Sequence, residues 1–293
     1  MAQAPADQVF ETHRRFLAAL AYRMLGSVSD AEDIVQEAWL RWREHAPETV
    51  EAPRAYLARV VTRLCLDQMK SARSRREFYV GAWLPEPLVE EIGAGPADEA
   101  GLDAPIALML ALERLTPLER AAFLLHDVFD QDFAAIARTI DRSESACRQL
   151  AKRAREHVRI DMPPRNKVDP EAARRFVAAF FKAAHQADPS DLEALLAQDV
   201  TFHSDGGGKV RATMNALFGL DRVARFFAGI SRKFGGPGRE STMLRPVLIN
   251  GLPGYISLEQ GETLQATALD IRDGVVQAIY IVRNPDKLRH LQP

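Results

Sequence analysis

The chain has 293 residues, 38 basic against 40 acidic side chains, a net charge of −2 and two cysteines. That length holds two or three compact domains, and 47% apolar with 27% charged residues is an ordinary globular balance. No run of about 18 apolar residues exists, no secretory signal opens the chain, and Cys65 and Cys147 are too few for a disulfide framework or zinc site, so a reduced, cytoplasmic protein without metal or membrane span is expected.

Residues 9–76 are helical in pattern throughout. Ser29-Asp30-Ala31-Glu32 has the form of a capping box. After it Ala31, Ile34, Val35, Ala38, Trp39 and Trp42 make one apolar stripe. A third helix, over 53–73, is expected to bury Leu57, Val60, Val61, Leu64 and Met69. It is also basic: Arg54, Arg59, Arg63, Lys70, Arg73, Arg75 and Arg76 stand against Asp67 alone.

The next stretch reverses sign. Residues 77–105 carry Glu77, Glu86, Glu90, Glu91, Asp98, Glu99 and Asp103 with no Lys or Arg. Pro85, Pro87, Pro96 and Pro105, with Gly93, Gly95 and Gly101, leave little room for regular structure from Gly81 to Pro105, so a linker is predicted. Two basic blocks separated by an acidic tether suggest two nucleic-acid faces.

Helices resume near Ile106, with a second capping box at Thr116-Pro117-Leu118-Glu119. An apolar pattern over Phe133–Ile140, a polar turn Asp141-Arg142-Ser143, and a basic helix from Glu144 to Arg159 outline a helix-turn-helix. On the last helix Cys147, Leu150, Ala151, Ala154 and Val158 form the buried stripe. Glu144, Ser145, Arg148, Gln149, Lys152 and Arg153 project the other way, as base-reading residues must, with Arg155 and Arg159 placed for phosphates. The plainer reading of such a helix is a solvated charged face; the helix, turn and cap before it favour DNA.

Met162-Pro163-Pro164 ends this block. A long helix over 170–187, a shorter one over 191–197 and a helix over 220–231 accompany strands near 200–203, 243–249, 255–258, 263–271 and 275–282. Helices followed by an antiparallel sheet make an α+β domain.

Residues 106–159 resemble region four of extracytoplasmic-function sigma factors, in LERLTPLERAAFLLHDVFDQDFAAIARTIDRSESACRQLAKRARE. Residues 9–76 resemble their region two, through DAEDIVQEAWLRW and AYLARVVTRLCLDQMKSAR. The resemblance implies that Asp30, Asp33, Gln36 and Glu37 meet core RNA polymerase. It implies that residues 45–54, with Arg59, Arg63, Lys70 and Arg73, handle the −10 element, Tyr56 being the nearest stacking aromatic (or a helix-packing one). Many relatives carry Asn where this chain has Arg63.

Trp83-Leu84-Pro85-Glu86-Pro87, Asp205-Gly206-Gly207-Gly208-Lys209 and Asn284-Pro285-Asp286-Lys287-Leu288 resemble three signatures of the sigma-J-like subgroup, whose C-terminal SnoaL-like extension contacts the linker and tunes activity. The expectation is therefore a multidomain chain: two all-α domains, region two over 7–76 and region four over 106–160, joined by an acidic linker over 77–105. An α+β SnoaL-like cone over 169–293 follows.

The implied partners are core RNA polymerase and promoter DNA at −35 and −10; no cofactor, metal or membrane is expected. Two rivals stay open. The cone could bind a small molecule or hold a proton-abstracting base, with His203, Asp205, Asp270 and Tyr280 as polar candidates and no diagnostic acid–base spacing to choose among them. Alternatively the chain is a helix-turn-helix regulator with a ligand-binding C-terminal domain, which leaves the acidic helix and basic 54–76 unused.

Overall fold

Three helices open the first of two units, which comprises residues 1–78 and 97–162. The structure, a computed structural model, describes residues 6–44, 50–76, 79, 81–93, 104–158, 169–186, 188–234 and 240–291, and of 71–76 the backbone alone. Helices α1 (Ala6–Leu25), α2 (Val28–Glu44) and α3 (Pro53–Arg76) bury Phe10, Leu17, Leu20, Val35, Trp42, Leu57 and Val61 among themselves. The stripe on α2 is as read, except that Trp39 stays half-buried under Arg43. On α3, Val60 and Leu64 are half-buried, while Cys65 and Leu66 join the core. The cap of α2 is a correction: the Asp30 N–H donates to Ser27 Oγ at 3.2 Å, so Ser27, not Ser29, opens the helix. Gly26 at φ 72° reverses the chain just before it, which brings the earlier serine into capping position.

Among the described residues four more α-helices follow in this unit: α4 (Ile106–Leu112), α5 (Pro117–Phe123), α6 (Phe133–Ile140) and α7 (Glu144–His157), with a π-helical turn over Leu124–Val128. Thr116 and Glu119 form the reciprocal capping box that the spacing indicates. Asp132 caps α6, Asp141 ends it at φ 55°, and Ser143 caps α7. Such a left-handed residue between two capped helices makes the tight turn of a helix-turn-helix. Cys147, Ala151, Ala154 and Val158 are buried, with Leu150 half-buried beside them.

The second unit comprises residues 79–96 and 163–293. Helices α8 (Pro170–Ala184), α9 (Ser190–Glu193) and α10 (Leu220–Phe234) cover one face of a seven-stranded sheet. Its strands are β1 (Val89–Glu91), β2 (Leu196–Asp205), β3 (Leu217–Phe218), β4 (Thr242–Ile249), β5 (Leu252–Glu259), β6 (Thr263–Arg272) and β7 (Val275–Val282), in the order β1-β4-β5-β6-β7-β2-β3. Only β2 and β7 run parallel. Val177, Phe180, Val200, Phe202, Phe227, Leu269 and Ile279 form the core between helices and sheet.

Two short strands were invisible in the pattern. β3 has two residues, and β1 lies in the stretch expected to be unstructured, where it pairs antiparallel with β4 through Val89↔Ile249, Glu90↔Leu248 and Glu91↔Val247. The helix expected over 191–197 stops at Glu193 because Leu196 already pairs with Val276.

Candidate functional site

Asp205, the last residue of β2, is 0% exposed, and its carboxylate accepts four hydrogen bonds. Its Oδ1 takes the Tyr79 hydroxyl at 2.5 Å and the Gly207 N–H at 3.0 Å; its Oδ2 takes the Leu84 N–H at 2.9 Å and Lys287 Nζ at 2.7 Å. Burial first, then the carboxylate beside it, pushes the Tyr79 hydroxyl well above the usual phenol range, so it stays a donor. Lys287 Nζ also donates to the Leu84 carbonyl and lies 4.3 Å from the Trp83 ring centroid and 5.0 Å from that of Tyr79.

The geometry around this carboxylate explains the residue types. The Asp205 carbonyl accepts from the backbone N–H groups of Arg283 at 2.7 Å and Asn284 at 3.0 Å, which ties the tail to the strand end. Asn284 Nδ2 donates to the Tyr79 hydroxyl oxygen at 3.0 Å, and Asn284 Oδ1 caps the following turn from Asp286 N at 3.1 Å. A Cβ on Gly207, at φ 60°, would lie 2.3 Å from Asn284 Nδ2, and one on Gly206 would lie 2.0 Å from the Val210 carbonyl. Lys209 closes the loop on Asp286 at 2.5 Å, and that contact first, ahead of Arg289, holds the Asp286 carboxyl below its usual range.

Beyond the carboxylate the linker runs on along the same unit. Leu84, Pro85, Glu86 and Pro87 are buried and Trp83 half-buried. His290 faces the Glu86 carboxylate at 3.2 Å from Nδ1 and the Pro87 carbonyl at 3.0 Å from Nε2. The Leu88 N–H donates to Asn250 Oδ1 at 3.1 Å, and its carbonyl accepts from Asn250 N at 2.8 Å. Asn250 holds φ at 50° in the turn before β5, a conformation asparagine tolerates. Arg174, on α8, donates to the Ile92 carbonyl.

The three segments singled out in the sequence therefore meet around one side chain. Sequence reasoning missed Tyr79, Asn250 and His290. An isolated tyrosine in an acidic, proline-rich stretch was a usable signal for the first.

Of the cone candidates, Asp205 is the centre of this dock, and the other three fall elsewhere. Phe202 and Ile279 point into the helix-covered core, so by strand alternation His203 and Tyr280 lie on the opposite face, where their rings stack 5.4 Å apart. Burial lowers the His203 pKa and raises that of Tyr280 to about 12. Asp270 is paired with Arg272 at 2.8 Å. The helix-side face instead carries a polar group made of Glu259, His185, Ser241 and Ser257: Glu259 accepts from His185 at 3.1 Å, Ser241 at 2.7 Å and Ser257 at 2.6 Å.

On the helical unit, Glu144, Ser145, Arg148, Gln149, Lys152 and Arg153 all sit exposed on α7. Arg148 pairs with Glu144 at 3.0 Å and lies 5.4 Å over the Phe133 ring. Arg155, read as a phosphate contact, pairs with Asp127 at 2.6 Å; Arg159 lies outside the described residues. On α2, Asp33 and Gln36 are exposed, and Asp30 and Glu37 partly so, with Glu37 paired to Arg41 at 2.9 Å. On α3, Arg59 lies over the Tyr56 ring, Tyr56 packs on Trp42, and Lys70 pairs with Asp67. Arg63 donates to the carbonyls of Arg138 and Thr139. Residues 45–49 and the Arg73 side chain lie outside the described residues. No helix among the described residues is long and apolar enough to cross a membrane.

An acid-faced helix, a basic helix, a helix-turn-helix and an appended α+β domain define a transcription initiation factor, and residues 9–75 match sigma-70 region 2 while 106–158 match sigma-70 region 4. The chain belongs to the extracytoplasmic-function RNA polymerase sigma factors, whose partners are core polymerase and promoter DNA. It is 44% identical to the ECF RNA polymerase sigma factor SigJ of Mycobacterium tuberculosis, over 95% of this chain and 91% of that one. It is 32% identical to a probable ECF RNA polymerase sigma factor, SigI, of the same organism, over 98% and 96%. The crystal structure of SigJ superimposes with a TM-score of 0.74 at 38% identity, covering 97% of this chain and 98% of that one, and the SnoaL-like architecture of the C-terminal domain follows from it.

Proposed function

We propose that the C-terminal domain regulates this sigma factor by holding or releasing the linker between its two DNA-reading regions. The observation that carries it is the Asp205 carboxylate, on which two linker groups, the Tyr79 hydroxyl and the Leu84 N–H, converge with Lys287 of the tail. Trp83, Pro85, Glu86 and Pro87 of the linker, Gly206, Gly207, Gly208 and Lys209 of the loop, and Asn284, Pro285, Asp286 and Leu288 of the tail shape that dock. Asp30, Asp33, Gln36 and Glu37 bind core polymerase. Arg59, Arg63, Lys70 and Arg73 serve the −10 element, and Glu144, Ser145, Arg148, Gln149, Lys152 and Arg153 of α7 the −35 element. The domains run 7–76, 77–105, 106–160 and 169–293, and the protein acts in the cytoplasm, beside the polymerase.

The test is run-off transcription with purified protein, core polymerase and a promoter library. Transcripts that depend on this protein, and whose yield changes several-fold with Asp205→Asn, are expected. Unchanged yield with a demonstrably loosened linker would remove the regulatory role. A fluorescent small-molecule screen on the full chain asks whether a ligand sets the dock; saturable binding sensitive to Asp205→Asn is the result that would bring one in.

A further inference from the structure

The tail and the linker meet a second time beyond Asp205, at His290. Two short 3₁₀ turns, Pro285–Lys287 and Arg289–Leu291, carry this histidine, and Leu288 between them is 1% exposed, so the backbone here is anchored. The ring faces two acceptors of the linker: Nδ1 lies 3.2 Å from the Glu86 carboxylate and Nε2 3.0 Å from the Pro87 carbonyl. Pro85 and Pro87 fix φ on either side of Glu86, and a residue before proline is held extended. Both acceptors therefore sit on a stiff frame that cannot easily turn one of them away. The Glu86 side chain is 8% exposed and that of His290 33%, so water replaces these contacts poorly.

A neutral imidazole carries one N–H. Placed here it donates to the carboxylate or to the carbonyl, and its bare nitrogen then points a lone pair at the other acceptor. One further proton turns both contacts into hydrogen bonds and makes the one to Glu86 a pairing of opposite charges. The count is the same if that proton rests on Glu86, which then donates to Nδ1 while the Nε2–H serves the carbonyl. Free in water, a histidine loses its charge near pH 6.5 and a glutamate is ionised above about pH 4.3. The charged groups of the histidine's own segment have other partners: Arg289 pairs with Asp286 and Lys287 with Asp205, both at 2.7 Å, and Lys209 holds Asp286 from the loop after β2. The turn before β5 offers Asn250, which is uncharged and serves Leu88. Glu90 and Glu91, further along the linker, are exposed.

We infer that Glu86 and His290 form a proton-linked clasp on the linker, closed in mild acid and loosened as the pH rises through neutrality. The sign follows from the proton count. The docked pair holds a proton that the released pair gives up above about pH 6.5, so docking is strongest below that value and weakens above it. Any use of the clasp in transcription rests on the regulatory role proposed for the dock; the proton linkage rests on these contacts alone.

Hydrogen-exchange mass spectrometry on the full chain reads the clasp through the Leu84 and Leu88 amides, with each rate scaled by the intrinsic exchange at that pH. Protection of this segment should fall about tenfold between about pH 6 and pH 8, one linked proton allowing at most about tenfold per pH unit. H290Q and E86Q each remove one member of the pair and keep a neutral hydrogen-bonding side chain, and in both the fall should largely disappear. H185Q, which removes the histidine from the Glu259 group, should keep the parent's fall. Protection that does not change with pH in the parent chain would overturn the clasp. So would a fall that survives in both H290Q and E86Q, or one that H185Q abolishes. Run-off transcription at the same two pH values separates this from the wider role of the dock. A linker whose protection follows the predicted pattern, with transcript yield equal in the parent and H290Q, would keep the clasp and remove its regulatory use.

Discussion

A carboxylate taken wholly out of water persists as an anion only when its lone pairs are met, and Asp205 meets that condition with an ammonium, a phenol and two backbone N–H groups. Asp205→Asn keeps the shape but leaves a single acceptor oxygen and leaves Lys287 without its counter-charge. Charge-assisted bonds of this kind are worth about 1.5–3 kcal/mol, so amide exchange at Leu84 should quicken roughly 10- to 100-fold, read by hydrogen-exchange mass spectrometry. Exchange at the parent rate would show that the linker is held by its apolar contacts instead. Gly207→Ala tests the loop beside it: a positive φ and a Cβ 2.3 Å from Asn284 Nδ2 together should cost about 1–3 kcal/mol in a urea titration. At the DNA end, Arg148→Ala should weaken −35 duplex binding by about 1–3 kcal/mol and relax preference at one base pair. A uniform loss on every sequence would make Arg148 a phosphate contact.

Among the elements, the join of α8 to β5 carries a pH-dependent pair. His185 follows the last turn of α8 and presents Nδ1 to the Phe181 carbonyl at 2.7 Å and Nε2 to Glu259 at 3.1 Å. Both ring nitrogens face acceptors, so the imidazolium fits this place. Burial works against that charge, but the hydrogen bond and charge of Glu259 outweigh it and the His185 pKa is raised; burial likewise opposes the Glu259 charge, and His185 holds that carboxyl below its usual range. The histidine's contribution is full below its unfolded value near 6.5 and is lost as pH rises through the higher folded value. That of Glu259 is present above its unfolded value near 4.3 and is lost as pH falls through the lower folded one. The melting temperature of the C-terminal unit should therefore peak between about pH 4.5 and 6.5, and His185→Gln should flatten the decline on the alkaline side; an unaltered slope would rule the pair out as its source. The elements themselves were largely legible, because α2, α6 and α7 each bury a face at the helical period and the long strands β5, β6 and β7 read as nearly continuous buried runs. What was not legible depends on distant partners. β1 forms only because β4 offers an open edge, and the linker is ordered by groups more than 120 positions away, such as Leu84 on Asp205. The glycines and charged residues of the dock stood out by type, whereas Tyr79, Asn250 and His290 matter only through where the fold brings them.

Across the whole molecule the chain enters each unit twice: residues 1–78 and 97–162 build one, 79–96 and 163–293 the other. The tether between regions two and four is thus part of the unit that follows both in sequence. Any force on the separation of the two regions is a force on the dock, and any ligand or substitution that alters the dock alters how much tether is free. Residues 77–105 could reach roughly 95–100 Å if drawn straight, little more than the roughly 85 Å between two elements 25 base pairs apart. The docked path is far from straight, since Tyr79 and Leu84 both bond to one carboxylate with Gly81 at φ 89° between them. Initiation on a two-element promoter should therefore draw on the docked residues. A lock tests this directly: Glu90→Cys with Leu248→Cys joins β1 to β4 at directly opposed positions, one exposed and one half-buried. Opposed residues of antiparallel strands lie about 4.5–5.5 Å apart at Cα, within the range of about 4.4–6.8 Å that a disulfide spans. The bond would hold the rest of the linker at high effective concentration over its site and oppose release. The oxidised protein should bind a −35 duplex as the parent does yet support several-fold less run-off transcription, with activity returning on reduction. Equal transcription before and after reduction would mean that the linker stays docked throughout initiation and that the C-terminal domain acts by another route.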